Sequence, residues 1–265
     1  SGLLAFSRLK SIDYKTLWQD VKEAIGGTER DFTDSSMGKA IFILAVPMVL
    51  EMLMESVFAI ADIFFVSRLG ANAVATVGLT ESAMTIIYAI GMGLAMATTA
   101  LVSRRIGEKK KKEAGEVAFQ AIAMAAIVAV LVAVPGVLFA KDFLRLMGAT
   151  PEVVDDGYLY PTIMFGGNMI IMLLFIINAV FRSSGDAAIS MRVMWLANII
   201  NIILDPLLIF GYGPFPELGL QGAAIATTTG RGIAVIYQFY LLWSGKYRIR
   251  LYRDNIKLKF GVMWK

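Results

Sequence analysis

Residues Lys39–Arg68 read KAIFILAVPMVLEMLMESVFAIADIFFVSR. The stretch is long and apolar enough to cross a bilayer. It nevertheless carries three carboxylates, Glu51, Glu55 and Asp62. At about 100° per residue, Glu55 lies roughly 40° from Glu51 around the helix, and Asp62 roughly 20° from it. The three therefore share one face, spread over roughly 16 Å of helix axis. An acid at the bilayer centre costs about 2.5–3.5 kcal/mol even on the mildest scale. Such a stripe faces protein, or a water-filled cavity inside a bundle, rather than lipid.

The rest of the chain agrees with a membrane setting. It has 265 residues, 57% of them hydrophobic, and a mean hydropathy of +0.67. That is too apolar for an ordinary soluble domain. Cys and His are both absent. This excludes disulfides, Cys or His metal sites, and catalysis that needs an imidazole or a thiol. No cleavable signal peptide is expected, because Ser1–Ser36 mixes apolar and charged residues without a compact apolar run. Within it, Leu17, Val21, Ala24 and Ile25 fall on one face of a short helix ending at Gly26-Gly27. Such a helix suits the membrane surface, and a mobile polar tail is the other reading.

Six apolar stretches are expected to span, at roughly 40–66, 73–102, 117–140, 158–181, 189–211 and 219–243. The third and fourth have no charge; the fifth contains Arg192 and Asp205, and the sixth contains Arg231. Of the 25 Lys and Arg, 21 fall on the side of the two chain ends, three on the other side, and Arg231 within a span. The positive-inside rule then puts both ends in the cytoplasm of an inner-membrane, multi-pass protein. Thr150-Pro151-Glu152 reads as a helix start, with a capping side chain and Pro at the first helical position. Pro214, Pro216 and the glycines around them mark a loop. Gly91, Gly93, Gly166 and Gly167 sit inside spans, where they suit close helix packing or kinks. The Lys109–Lys112 run reads as a cytoplasmic loop able to touch anionic lipid.

The fifth span repeats the pattern of the first. Asn198, Asn201 and Asp205 fall at i, i+3 and i+7, on one face, and Asp205 sits a few residues from its helix end, as Asp62 does. The two acids are therefore expected at similar depth. Asn178 and Thr227–Thr229 are candidates to line the same cavity. Burial favours a neutral carboxylic acid, so such a residue can exchange a proton for a cationic ligand. Carboxylates, Asn carbonyls and Thr hydroxyls also suit Na⁺, with Asp62, Asp205 and Asn201 as its ligands. The competing interpretation is a hydrogen-bond network that only holds the bundle together. Arg231 either pairs with one of the acids or reaches polar groups at a helix break. Glu81 is expected near the outer surface and solvated. Nothing indicates nucleic acid.

These residues resemble the multidrug and toxic compound extrusion (MATE) family of transporters. The resemblance runs through Pro47-Met48-Val49-Leu50, Ala61-Asp62-Ile63-Phe64-Phe65-Val66 and Leu69-Gly70-Ala71. It continues through Arg182-Ser183-Ser184-Gly185-Asp186, Asn201 to Asp205-Pro206-Leu207-Leu208-Ile209-Phe210-Gly211, and Gly219-Leu220-Gln221-Gly222-Ala223-Ala224-Ile225-Ala226-Thr227. It implies an all-α fold of two six-helix lobes that rock about a central cavity. It also implies that this chain is the N-terminal lobe: residues 1–37 form an N-terminal segment, 38–245 the six-helix bundle, and 246–265 a cytoplasmic linker and the start of a seventh helix. Asp62 and Asp205 match the family's acids in those two helices, and Asn201 and Asn178 match polar residues beside them. Phe58 stands where the family often has Tyr. Glu51 and Glu55 rest on the helical-face argument alone.

The expected function is therefore one lobe of a secondary antiporter, not an enzyme, that exports organic cations or drugs against inward H⁺ or Na⁺. No cofactor is expected beyond that coupling ion. The expected partners are the substrate, membrane lipid and the second lobe. Three rivals stand beside it: a lipid-linked oligosaccharide flippase, an intramembrane enzyme using Asp62 and Asp205, and a six-span structural protein that transports nothing.

Overall fold

In an apolar surround the helix satisfies every backbone N–H and C=O within one segment, and the described residues of this chain are helical almost throughout. The computed structural model describes residues 14–27 and 37–251; among these there are ten helices and no strand. They are α1 (Tyr14–Gly26), α2 (Met37–Ser67), α3 (Ala71–Gly107), α4 (Lys111–Leu138), α5 (Ala140–Leu146), α6 (Pro151–Gly157), α7 (Leu159–Gly166), α8 (Asn168–Ser183), α9 (Ala187–Phe210) and α10 (Leu220–Ser244). The ends of the chain, 1–13 and 252–265, and residues 28–36 lie outside the described residues. The linker and seventh-helix expectations fall mostly there.

Six long segments form the bundle, with α7 and α8 counting as one. Five of these are long and apolar enough to cross a membrane; α10 is not among them. Six were expected on apolarity. The difference has a physical cause: α10 carries Gln221, Thr227, Arg231 and Gln238, and the last three are buried in the bundle rather than turned to lipid. Its hydropathy falls because its polar face points inward.

The core runs along α8, where Met172, Leu174, Ile176, Ile177, Val180 and Phe181 are buried against α3, α4, α9 and α10. At the α7–α8 break, Asn168 donates to Ala129 O (2.9 Å) and Phe165 O (3.1 Å). Gly167 is needed there, since a Cβ would sit 2.9 Å from Thr228 Cγ2. Gly91 packs as expected, with a Cβ position 2.9 Å from Phe175, whereas Gly93 has open space around it. The Thr150 cap forms: its hydroxyl accepts from Val153 N at 3.4 Å, with Pro151 next. The segment after it is a separate short helix before α7. Thr150→Ala is expected to cost about 0.5–1 kcal/mol, read as a small fall in the thermal midpoint. A drop of more than about 2 kcal/mol would mean that the hydroxyl holds more than this cap.

α1 forms where the spacing predicts, ending at Gly27 (φ +77°). It is anchored to the bundle. Asp20 and Lys39 form an ion pair at 2.7 Å, and Arg192 donates to the last carbonyls of α1, Ile25 O (2.8 Å) and Gly26 O (2.6 Å). Ala24 is buried and Trp18 exposed. Between α3 and α4 the turn is an ion cluster outside the spans. There Arg104 and Arg105 hydrogen-bond Glu108 and hold its carboxyl below the usual carboxylate range.

Candidate functional site

α2 crosses the bundle with one face set against α9, and it buries only Ile43, Pro47 and Val66. Its carboxylate stripe looks into a half-open cavity of about 570 Å³ formed with α3, α7, α8, α9 and α10. Glu51, Glu55 and Asp62 all line it, as the helical-face argument requires. The walls between them are Met, Phe and other apolar side chains, among them Met52, Met92, Met164 and Phe175. Three polar clusters follow one another along the roughly 16 Å from Glu51 to Asp62.

Nearest the end of the bundle that carries α1, Glu51 is fully engaged. Arg182 Nη1 meets its Oε1 at 3.2 Å and Ser190 Oγ donates to its Oε2 at 3.0 Å. One position before it, Leu50 O accepts a hydrogen bond from Trp195 Nε1 (3.1 Å). These contacts tie α2 to α8 and α9 one turn beyond Pro47.

In the middle, Asn198 Nδ2 donates to Glu55 Oε2 at 2.9 Å. Arg231, 9% exposed, reaches Glu55 Oε1 at 3.5 Å and lies 5.6 Å from the centre of the Phe58 ring. Of the two readings of Arg231, the structure has the paired one. Its other charged or polar neighbours are Tyr88 and Glu81. Glu81 is thus not a solvated surface residue. It lies ten residues into α3, roughly 15 Å along the axis, and faces the cavity. The expected span, 73–102, differs little from the helix Ala71–Gly107; what linear position does not reveal is that this turn of α3 faces the cavity and not solvent.

At the far end, Asp62 and Asp205 come together as electrostatic neighbours. Asp205 and Asn201 are buried, at 0% and 2% exposed. Asn201 Nδ2 donates to Thr227 Oγ1 (2.9 Å) and stands 3.5 Å from Asp205 Oδ1. Three oxygens are left buried without a partner: Asp62 Oδ1, Asp205 Oδ2 and Asn201 Oδ1. Such an oxygen forgoes its solvation, at a cost of about 1–3 kcal/mol each. Among the described residues no group of three or more His, Cys, Asp or Glu is placed to hold a metal ion. A cation here would draw on two carboxylates and an amide oxygen.

Two expectations about this end need correction. Asn178 does not join Asp205. Its Oδ1 accepts from Gln238 Nε2 at 2.8 Å, about three helical turns further along α10 than Thr227. Of the three threonines only Thr227 lines the cavity; Thr228 packs at Gly167, and Thr229 is exposed. A run of three residues spans 200° of a helix, so it cannot all face one way. Tyr88 and Tyr160 also line the cavity and were not foreseen. For Tyr88 a signal existed: Glu81, Tyr88 and Met92 are spaced i, i+7 and i+11, on one face of α3.

Residues 47–207 match the MatE family model. The chain is 33% identical over 206 residues to the FAD transporter of Shewanella oneidensis, covering 78% of this chain and 46% of that protein. It is 27% identical over 229 residues to a probable multidrug resistance protein, NorM, of Thermotoga maritima, covering 85% and 47%. Among solved structures, a MOP superfamily transporter from Pyrococcus furiosus superposes with a TM-score of 0.78 at 27% identity, over 92% of this chain and 52% of that one. An outward-facing multidrug resistance MATE family transporter superposes with a TM-score of 0.77 at the same identity, again over 92% and 52%. The chain thus spans about half the length of the relatives it matches, and a family match over most of the helical bundle, with the same bundle in solved transporters, means that this chain belongs to the MatE family.

Proposed function

We propose that the chain is the N-terminal lobe of a two-lobe secondary antiporter that exports organic cations across the inner membrane against an inward flow of H⁺ or Na⁺, with both of its ends in the cytoplasm. The observation that carries this is the set of three buried, partnerless oxygens of Asp62, Asp205 and Asn201; Asp62 lines one end of an apolar-walled cavity, and Asp205 and Asn201 stand behind that wall, beside Asp62 and Thr227. Hard oxygen donors of this kind suit a proton or Na⁺ and give a soft ligand little. A captured ion neutralises the acids and satisfies those oxygens. The contacts of α2 with α9 then change, and Pro47 inside α2 is the position at which that helix can bend in response. Four acids and one Arg line the cavity, which favours a cationic cargo over the anionic head group of a lipid-linked sugar.

One observation favours a second reading. Arg231 lies inside the cavity against an aromatic ring, and the Shewanella oneidensis relative is named a FAD transporter. In that reading the cargo is an aromatic anion. Transport assays of the full-length protein in proteoliposomes with ethidium and with FAD separate the two. Ethidium export driven by a proton or Na⁺ gradient is expected, and transport of FAD alone would overturn the cation reading. Dye export by cells expressing only residues 1–265 is expected to be at background. Equal export by that half and by the full-length protein would mean that a second lobe is not needed.

Glu51 provides a contrast. Its oxygens are already engaged by Arg182 and Ser190, so Glu51→Gln is expected to retain at least about half of the export rate while lowering thermal stability by roughly 1–3 kcal/mol. Export as low as that of an Asp62→Asn variant would move the coupling site toward Glu51.

A further inference from the structure

Arg231 cannot lose its proton in a protein, so one positive charge stays in the cavity in every state of the transport cycle. Tyr88 hydrogen-bonds the guanidinium and Glu81 is a charged neighbour, but the ion pair with Glu55 is loose. The contact with Glu55 is 3.5 Å, longer than the 2.7–2.9 Å of a well-formed charge-assisted hydrogen bond. The other Glu55 oxygen is already taken by Asn198. Glu55, which lines the cavity, keeps 41% of its side chain exposed, against 10% for Arg231. Around the guanidinium stand Glu55, Glu81, Tyr88 and the Phe58 ring, with Asp62 an electrostatic neighbour of Glu81 beyond. Carboxylates joined to aromatic faces are what an organic cation seeks. They are chemically unlike the cluster at Asp205, Asn201 and Thr227, which is held by amide, carboxylate and hydroxyl groups.

We infer that Arg231 is a resident counter-cation. Its guanidinium occupies the place that the ammonium or quaternary nitrogen of a transported molecule takes, between Glu55 and Glu81 and against Phe58 and Tyr88. The substrate must displace it to bind. Glu81, Tyr88 and Arg231 then set which cations enter, separately from the ion site at Asp62 and Asp205. A resident cation also keeps the central acids from standing uncompensated when the cavity holds no cargo, since neighbouring like charges repel more strongly in a low dielectric than in water. The inference rests on the organic-cation reading of the cavity, and a purely structural ion pair makes the opposite prediction for affinity.

The test is ethidium binding to the purified full-length transporter in lipid nanodiscs, by fluorescence anisotropy, for wild type, Arg231→Gln, Arg231→Lys and Glu81→Gln. Removing the competing charge is expected to tighten ethidium binding about tenfold in Arg231→Gln. Arg231→Lys should stay within about threefold of wild type, because the charge remains. Glu81→Gln should weaken binding about tenfold. Unchanged or weaker binding by a folded Arg231→Gln protein overturns the inference and leaves Arg231 a structural partner of Glu55. If Arg231→Gln does not fold, Glu81→Gln decides: wild-type affinity there overturns the inference. Ethidium binding by none of the four proteins overturns the cation reading of the cavity, and the inference with it. Ordinary wild-type binding with no effect of any substitution overturns the inference alone.

Discussion

Replacing Asp205 by Asn in the full-length transporter is expected to lower gradient-driven ethidium export on the order of 100-fold, the upper end of the 1–3 kcal/mol usual for coupling between two sites. The substitution keeps the shape of the side chain and a polar atom near Asn201, which now stands 3.5 Å from Asp205 Oδ1. What it removes is the charge and the exchangeable proton. Asp205 is 0% exposed and its Oδ2 has no partner, so no solvent group can take over the role. Asp62, its electrostatic neighbour, then faces an amide, and the proposed coupling of ion binding to α2 through the pair is expected to be lost. Ethidium affinity should change little, because the rings and central carboxylates are untouched. The measurement is the initial rate of export from proteoliposomes under an imposed proton or Na⁺ gradient, beside the binding constant. Wild-type export would sink the assignment. A loss of export that merely tracked a loss of folded protein would instead favour the structural-network reading of these acids.

The second large effect is expected from Gly222→Ala, a change of one methyl group. In a helix interior, Gly to Ala is ordinarily worth about 1 kcal/mol in favour of Ala. At this position the new Cβ would lie 2.4 Å from Leu208 O, 2.5 Å from Leu208 C and 2.8 Å from Ile209 N. All three are backbone atoms, and Leu208 O already accepts from Leu218 N in the α9–α10 turn. No rotamer change relieves the clash, so the two helices must move apart. Gly230, two turns on, meets Ala197 O at 2.6 Å in the same way. Small residues at both contacts allow α9 and α10 to approach closely, and that approach brings Asn201 to Thr227. Overpacking costs of about 1–3 kcal/mol or more therefore outweigh the propensity gain. Little monodisperse protein and a clearly lower thermal midpoint are expected. Gly93→Ala, with nothing within 4 Å of its Cβ position, is the matched control and should be neutral or slightly stabilising. Equal midpoints for the two variants would mean that the α9–α10 contact is looser than its geometry.

Much of this protein was legible in one dimension because the rules that govern it are local. Long uncharged runs can only be helices in a bilayer, so the long elements emerged within a few residues of their ends. Periodicity put Glu51, Glu55 and Asp62 on one face, and Asn198, Asn201 and Asp205 on another. Apolarity failed only at α10, where the polar face turns inward and the composition no longer resembles a span.

What the linear chain left open is pairing, because two residues far apart in sequence meet only when helices are given a register and a rotation. The sequence could nominate Asn178 and Asp205 as neighbours; the register of α8 against α10 gives Asn178 to Gln238 instead. It could count Glu81 as an acid near a helix end; the packing of α3 turns that acid into the cavity beside Tyr88 and Arg231. It could note Phe58 as an aromatic; only the arrangement of α2 and α10 sets a guanidinium against it. The sequence by itself determined the membrane setting, the helices and the polar faces, since these follow from solvation and the 3.6-residue turn. The tertiary structure alone decided which polar groups satisfy one another and that the oxygens of Asp62, Asp205 and Asn201 are gathered without a hydrogen-bond partner, because that depends on contacts between faces that no local rule specifies.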